Sequence, residues 1–162
     1  MAGANGRRTR KPRYKRRAKD NLDWLFYQML ARQFAQNPKV TFAIPDSLWA
    51  LVPAYDTTML LEHGDEFKGG AGISAAMAPL LLGEHRRRKQ HRFDTLVCGH
   101  FHSRFIKPGL IVGGSLKGPD EYSMGRGFDP SPPTQELFLV SPEHGVTFNA
   151  PIYVADRRAE GW

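Results

Sequence analysis

The stretch Leu96-Val97-Cys98-Gly99-His100-Phe101-His102 decides the fold of this 162-residue chain. It reads as an apolar strand that meets a glycine and then presents two histidines with one residue between them. If the backbone stays extended through the pair, positions i and i+2 point to the same face, so the two imidazoles converge while Phe101 turns toward the core. The segment therefore predicts a strand that ends in a metal site.

A second strand ends in the same way. The segment Leu60-Leu61-Glu62-His63-Gly64-Asp65 is again an apolar run followed by a histidine and a glycine. Open α/β sheets place their ligand sites at the carboxyl ends of strands. Neutral imidazoles suit divalent transition metals, so His63, His100 and His102 form a candidate three-ligand set. The remaining histidines are interpreted as solvated surface residues: His85, His91 and His144.

Apolar periodicity predicts two helices. The first begins at the capping residues Asp20 and Asn21 and ends at Asn37-Pro38. The second runs from about Ile73 to Gln90, with a late start or a kink at Pro79. Its basic tail, residues 86–89, complements the negative end of the helix dipole.

Short apolar runs bounded by turn residues predict strands. These are Lys39–Ile44, Leu48–Pro53, Thr57–Leu61, Phe93–Cys98, Arg104–Ile106, Leu110–Val112, Glu136–Ser141 and Val146–Val154. Residues 119–133 are interpreted as a loop. The preceding segment Gly113-Gly114-Ser115 is either a backbone anion site or a tight turn between strands.

Positive charge is concentrated at the N-terminus. The net charge is +7, and nine Lys and Arg residues lie between Arg7 and Lys19, which leaves residues 20–162 with a charge of about −2. Residues 1–19 are therefore interpreted as a basic arm, residues 20–154 as one domain and residues 155–162 as a polar tail. The arm contacts either phosphate groups of nucleic acid or only solvent. Candidate contact residues are Arg7, Arg8, Lys11 and Arg13.

Several protein classes are excluded by composition. Cys98 is the only cysteine, so no intrachain disulfide can form, and the N-terminus does not resemble a secretory signal. The longest mostly apolar run, Ile73–Leu82, is about half of a membrane span. We expect a cytoplasmic protein without a membrane partner.

Together these residues resemble the C-terminal half of the calcineurin-like metallophosphoesterases, particularly the type encoded by bacteriophages. His63-Gly64-Asp65 is similar to the strand-end His-Gly motif of that family, and Gly99-His100-Phe101-His102 to its Gly-His-x-His motif. Gly114-Ser115 is similar to the Gly-Ser turn after the next strand. The resemblance covers residues 20 to about 154. It implies an α/β fold, with a mixed β-sheet sandwich flanked by helices, like the C-terminal half of the four-layer metallophosphoesterase fold.

The resemblance also implies a chemistry. His63 and His100 would ligate one divalent metal (Mn, Zn, Fe or Mg) of a binuclear pair, and His102 the other. Enzymes of this family use a metal-bound hydroxide to hydrolyse a phosphate ester, as phosphatases or nuclease-like hydrolases. A phage-encoded member would act in the host cytoplasm. The family's upstream Asp-x-His, Gly-Asp-x-x-Asp and Gly-Asn-His motifs do not occur in these 162 residues, so no catalytic acid or base is assigned.

Three hypotheses stay open. In the first, the chain is the C-terminal portion of a metallophosphoesterase, separated by a gene split, a late start or a sequence truncation from the N-terminal portion that completes its two-metal site. Alternatively, it is a non-catalytic descendant that binds nucleic acid or a protein through the basic arm. In the third hypothesis, His63, His100 and His102 hold a single Zn with water in the fourth position. Because half of such a fold leaves apolar sheet uncovered, we also expect either a partner, which is the missing half or a second copy in a homo-oligomer, or poor solubility.

Overall fold

The computed structural model describes residues 22–67, 72–125 and 130–156, without the side chains of residues 72–76 and 122. The chain divides into two compact units. The first comprises Met1–Ala50 and Leu61–His63, and the second comprises Leu51–Leu60 and Gly64–Trp162. The candidate histidines are therefore divided between the units, with His63 in the first and the other two in the second.

The first unit contains helix α1, Leu22–Gln33, which carries Asp23 in its first turn and Arg32 in its last. These charges complement the helix dipole. None of the residues of α1 is buried. Leu25, Phe26 and Met29 are 50%, 55% and 61% exposed.

The strand expected at Lys39–Ile44 is wrong, because this segment contains turns and irregular backbone instead. The side chain of Asn37 accepts a hydrogen bond from the N–H of Lys39 at 3.0 Å, and its carbonyl accepts one from the N–H of Val40 at 3.1 Å. Backbone donors that a ladder would need are thus used in a local turn, and Pro38 and Pro45 bracket the segment.

Seven strands form two sheets. The first sheet contains β1 (Trp49–Ala54), β2 (Thr57–Glu62), β3 (Thr95–Cys98), β4 (Phe105–Lys107) and β5 (Leu110–Val112), in the order β1-β2-β3-β5-β4. Strand β3 runs parallel to β5, whereas β4 is antiparallel to β5, so the sheet is mixed. The second sheet pairs β6 (Thr134–Ser141) with β7 (Gly145–Tyr153) in an antiparallel hairpin. With helices α2 (Gly72–Gln90) and α3 (Glu121–Gly125), these sheets confirm the expected α/β class.

The core of the second unit lies around β3 and β5. Leu60 of β2, Leu80 of α2 and Leu96 of β3 are completely buried. All three residues of β5 are buried as well, which fits a parallel strand covered on both faces. β3 is therefore a rigid central strand, and it firmly anchors the turn at its carboxyl end. No helix in the described parts of the chain is both long and apolar enough to cross a bilayer.

Arg88 ties the end of α2 to the start of β3. Its guanidinium donates to the carbonyls of Phe93 and Asp94 at 2.9 and 3.0 Å and lies 4.7 Å from the centre of the Phe93 ring. It also bonds the buried carboxylate of Glu84, which pairs with Lys107 at 2.8 Å. In addition to the expected effect on the helix dipole, the basic tail thus bonds two carbonyls just before β3 and a buried carboxylate.

Two boundaries differ from the expectations. Helix α2 begins at Gly72 and includes Pro79, so the late start is wrong.

The segment expected to be a loop, residues 119–133, contains helix α3. Two reciprocal hydrogen bonds of 2.8 Å cap this helix: Asp120 Oδ1 accepts from the N–H of Ser123, and Ser123 Oγ accepts from the N–H of Asp120. Hydrogen bonds from Lys117 and Ser123 lower the pKa of Asp120 to about 2. An Asp three residues before a Ser was the sequence signal for this helix.

Substitution of Gly83 tests the packing of α2. An alanine in a helix interior normally stabilises by about 1 kcal/mol relative to glycine. Here a Cβ at Gly83 would lie 2.0 Å from a ring carbon of buried Phe67. We therefore expect Gly83→Ala to lower the free energy of unfolding by about 1–3 kcal/mol in urea denaturation. In a Phe67→Leu background the penalty should shrink, and a stabilised Gly83→Ala protein would contradict this packing.

Candidate metal site

The residues directly after β3 form a tight turn. The N–H of Phe101 donates to the carbonyl of Gly99 at 2.9 Å, which closes a three-residue γ-turn around His100. The φ angles of His100 and His102 are +73° and +57°, in the left-handed region. The expectation of extended backbone through the pair is therefore wrong, because β3 ends at Cys98 and the chain turns at once.

A buried aromatic ring stabilises this turn. Phe101 is only 3% exposed, so it turns into the core as the sequence pattern indicated. The His100 ring meets the Phe101 ring edge-on, with 5.3 Å between their centres. Left-handed backbone at a residue with a side chain costs roughly 1–3 kcal/mol and persists where the surroundings enforce it. Such residues cluster at functional sites, and here both are histidines that the sequence had marked.

The end of β2 approaches this turn through Gly64. Its φ is +105°, and a Cβ placed on it would lie 3.1 Å from the carbonyl oxygen of Gly99 and 3.4 Å from the Cβ of His100. Any other residue would be strained here and would also crowd the turn. The glycine of the His63-Gly64 pattern is thus explained by close backbone approach to the His100 turn.

Two carboxylates flank His63 and Gly64 along the chain. Glu62 is 7% exposed, with its Oε1 buried, and the Oδ1 of Asp65 is buried as well. Each interacts with another group. The sequence interpretation assigned no carboxylate to the ligand set, although both residues adjoin the motif. In the sequence, these residues could have been recognised as two acidic residues at the end of an apolar strand.

The structure brings His100 and His102 together in one turn, and both are half-buried. His63 is half-buried in the first unit. Within residues 22–67, 72–125 and 130–156, no three His, Cys, Asp or Glu side chains are grouped so that they could hold a metal ion. The imidazoles of His100 and His102 suit a divalent metal, but they would supply only part of its ligands. The set of His63, His100 and His102 therefore stays a prediction.

The sequence also predicted phosphate contacts in the basic arm and, as one alternative, an anion site at residues 113–115. The candidate phosphate contacts Arg7, Arg8, Lys11 and Arg13 lie outside the described residues. The N–H of Gly113 donates to the carbonyl of Cys98 at 2.8 Å. Since this donor continues the pairing of β3 with β5, it is not available to an anion. Residues 113–115 form neither a turn nor a strand, so the tight-turn alternative is not confirmed either.

Two residues that the sequence interpretation did not single out hold the chain around His102. Arg104 makes a two-pronged ion pair with Glu136, at 2.6 and 3.0 Å, and donates to the side chain of Asn149 at 3.1 Å. The hydrogen bond with Glu136 raises the pKa of Arg104. The hydroxyl of Ser131 donates to the carbonyl of His102 at 2.7 Å. Both contacts span about 30 residues of sequence, and local patterns do not reveal them.

A groove of about 960 Å³ lies along β4. It is lined by the starts of β2 and β3, by residues 104–109 and by the β6–β7 turn. Two basic side chains line the groove, and both form ion pairs: Arg104 with Glu136 and Lys107 with Glu84. The lining includes Arg104, two residues after His102, but none of His63, His100 and His102.

Comparison with solved structures finds two similar chains. One is vacuolar protein sorting 29 from Cryptosporidium parvum, with 19% identity and a TM-score of 0.40 over 72% of this chain and 62% of that chain. The other is a conserved uncharacterized protein, described as a predicted phosphoesterase, from Streptococcus pneumoniae TIGR4, with 12% identity and a TM-score of 0.35 over 81% and 91%. No family model and no curated protein matches the sequence. The chain spans less than two thirds of the length of the first neighbour.

Paired substitutions isolate the backbone strain at His100. His100→Ala and His100→Gly both remove the imidazole, but only glycine adopts positive φ without strain. We expect His100→Gly to be more stable than His100→Ala by about 1 kcal/mol in urea denaturation. At Gln135, an exposed residue of β6, the order should reverse, because glycine weakens a strand. Equal stability of the two His100 variants would contradict the turn.

Proposed function

We propose that this chain is the C-terminal portion of a calcineurin-like metallophosphoesterase and contributes histidine ligands to a divalent-metal site that hydrolyses a phosphate ester. The observation that carries the proposal is the strained His100–His102 turn at the carboxyl end of the central strand β3, packed against Gly64 of the His63-Gly64 motif. Residues with strained backbone cluster at functional sites, and open α/β sheets bind their ligands at the carboxyl ends of strands. A role as metal ligands therefore explains why two histidines with strained backbone lie here.

The chain's own residues account for binding and orientation. Neutral imidazoles of His63, His100 and His102 are suitable donors to Mn, Zn, Fe or Mg. A divalent ion would supply charge to polarise the phosphoryl oxygens of the substrate. Three neutral donors compensate little of the charge of two dications, so carboxylates must come from the upstream motifs that these 162 residues do not contain. The proposal therefore requires a polypeptide that carries Asp-x-His and Gly-Asp-x-x-Asp.

An exposed apolar surface supports association with such a polypeptide. Leu139 and Phe148 are directly opposite each other in the β6–β7 hairpin, so they share one face with Leu137 and Ile152. These four side chains, which we call the hairpin face, are 55%, 49%, 43% and 46% exposed, respectively. A contiguous apolar face of this kind marks an interaction surface. We assign it to the N-terminal portion of the enzyme.

Reconstitution tests the activity. The chain is combined with the polypeptide encoded upstream that carries the two carboxylate motifs, and hydrolysis of bis-p-nitrophenyl phosphate is followed with Mn²⁺. We expect activity only from the pair. His100→Ala or His102→Ala should lower kcat/KM roughly 100-fold or more, since losing a metal ligand removes several kcal/mol of transition-state stabilisation. His144→Ala, in the exposed β6–β7 turn, serves as the control.

Full activity of the reconstituted His100→Ala protein would contradict the proposal, as would an inactive pair. Salt-sensitive DNA binding that is lost on deletion of residues 7–19, without hydrolysis, would instead favour the non-catalytic module.

Substitution of the hairpin face tests the association. Leu139→Lys places a charge at the centre of the face and should weaken binding of the N-terminal portion at least roughly tenfold in sedimentation equilibrium, because the charge would lose water on binding. Tyr55→Lys, at the exposed β1–β2 turn, replaces another exposed large side chain and should leave binding unchanged. A chain that stays monomeric at high concentration, and does not bind the N-terminal portion, would argue against a partner on this face.

A further inference from the structure

The turn at His100–His102 needs support from outside its own residues. Two left-handed residues and a γ-turn occur within three positions. Strained backbone of this kind relaxes unless other parts of the structure fix it. One contact that acts on the backbone of His102 comes from Ser131, whose hydroxyl donates to the carbonyl of His102 at 2.7 Å.

Ser131 is itself rigidly presented. It lies in the segment Pro130-Ser131-Pro132-Pro133, where the prolines fix their own φ angles and Pro132 restricts Ser131 to extended backbone. The segment is fastened at its end, because the carbonyl of Pro133 accepts from the N–H of Val154 at 3.1 Å and the N–H of Thr134 donates to the carbonyl of Ser115 at 2.9 Å. The hydroxyl is therefore held at a fixed place against the turn.

We propose that Ser131 is a positioning residue for His102. Its hydrogen bond fixes the plane of the peptide group after His102, and through it the direction in which the Cα–Cβ bond of His102 projects the imidazole. The inference rests on the proposed function in one respect, namely that His102 is a metal ligand. Groups that orient metal ligands typically alter metal affinity by 10- to 100-fold when they are removed.

The test compares Ser131→Ala with Ser131→Thr, which keeps a hydroxyl, and Ser141→Ala, which removes a hydroxyl that bonds Glu143 in the β6–β7 turn. The first readout is the position of the His102 imidazole signal in a ¹H–¹³C correlation spectrum of the metal-free full chain, identified by its loss in His102→Gln. We expect the signal to move in Ser131→Ala, and to keep its wild-type position in Ser131→Thr and Ser141→Ala. If Ser131→Ala fails to fold, Ser131→Val replaces it, because valine matches threonine in size without the hydroxyl.

The second readout is Zn²⁺ affinity in the complex with the N-terminal portion, which should fall roughly tenfold in Ser131→Ala and recover in Ser131→Thr. A His102 signal that stays in place in Ser131→Ala, or one that moves equally in Ser131→Thr, would overturn the proposal. If the wild-type complex binds no Zn²⁺, the proposed function fails, and the imidazole signal alone decides whether Ser131 positions His102.

Discussion

The hydrogen bond from the N–H of Phe101 to the carbonyl of Gly99 is the constraint on which the rest of the site depends. It closes a γ-turn directly after the central strand, and His100 at the centre of this turn has a φ of +73°. Burial of the Phe101 ring contributes about 1.5–3 kcal/mol. Two strained histidines together cost about 2–6 kcal/mol, which is comparable or larger. The bond from Ser131, in the segment before β6, and the ion pair of Arg104 with Glu136 of β6 supply further stabilisation.

The scaffold explains why this strain is tolerated at this place. β3 lies between β2 and β5, and its Leu96 is completely buried. Arg88 donates to the carbonyls of Phe93 and Asp94, just before the strand begins. A rigid strand can hold a strained turn at its other end. The two ends of the strand thus differ in role: the start is stabilised by α2, and the carboxyl end presents the imidazoles. Gly64 permits β2 to end against the same turn.

The sequence predicted the parts of this arrangement that depend on local pattern. β2, β3 and β5 are apolar runs bounded by turn residues, and the histidines follow two of them directly. The strand expected at Lys39–Ile44 was wrong because the N–H groups of Lys39 and Val40 donate to Asn37, which an apolar run does not reveal. The γ-turn was missed because His-x-His has the same letters in extended and left-handed backbone. Ser131 was missed because its partner lies 29 residues away.

The central claim is that the strained His100–His102 turn presents metal ligands of a phosphoesterase. A crystal structure of the chain with its N-terminal portion, grown with Zn²⁺ and measured at the zinc absorption edge, tests it most directly. We predict anomalous scattering about 2.0–2.1 Å from an imidazole nitrogen of His100 and of His102, with both residues still at positive φ. Zinc bound elsewhere, or a turn that is extended in the complex, would contradict the claim.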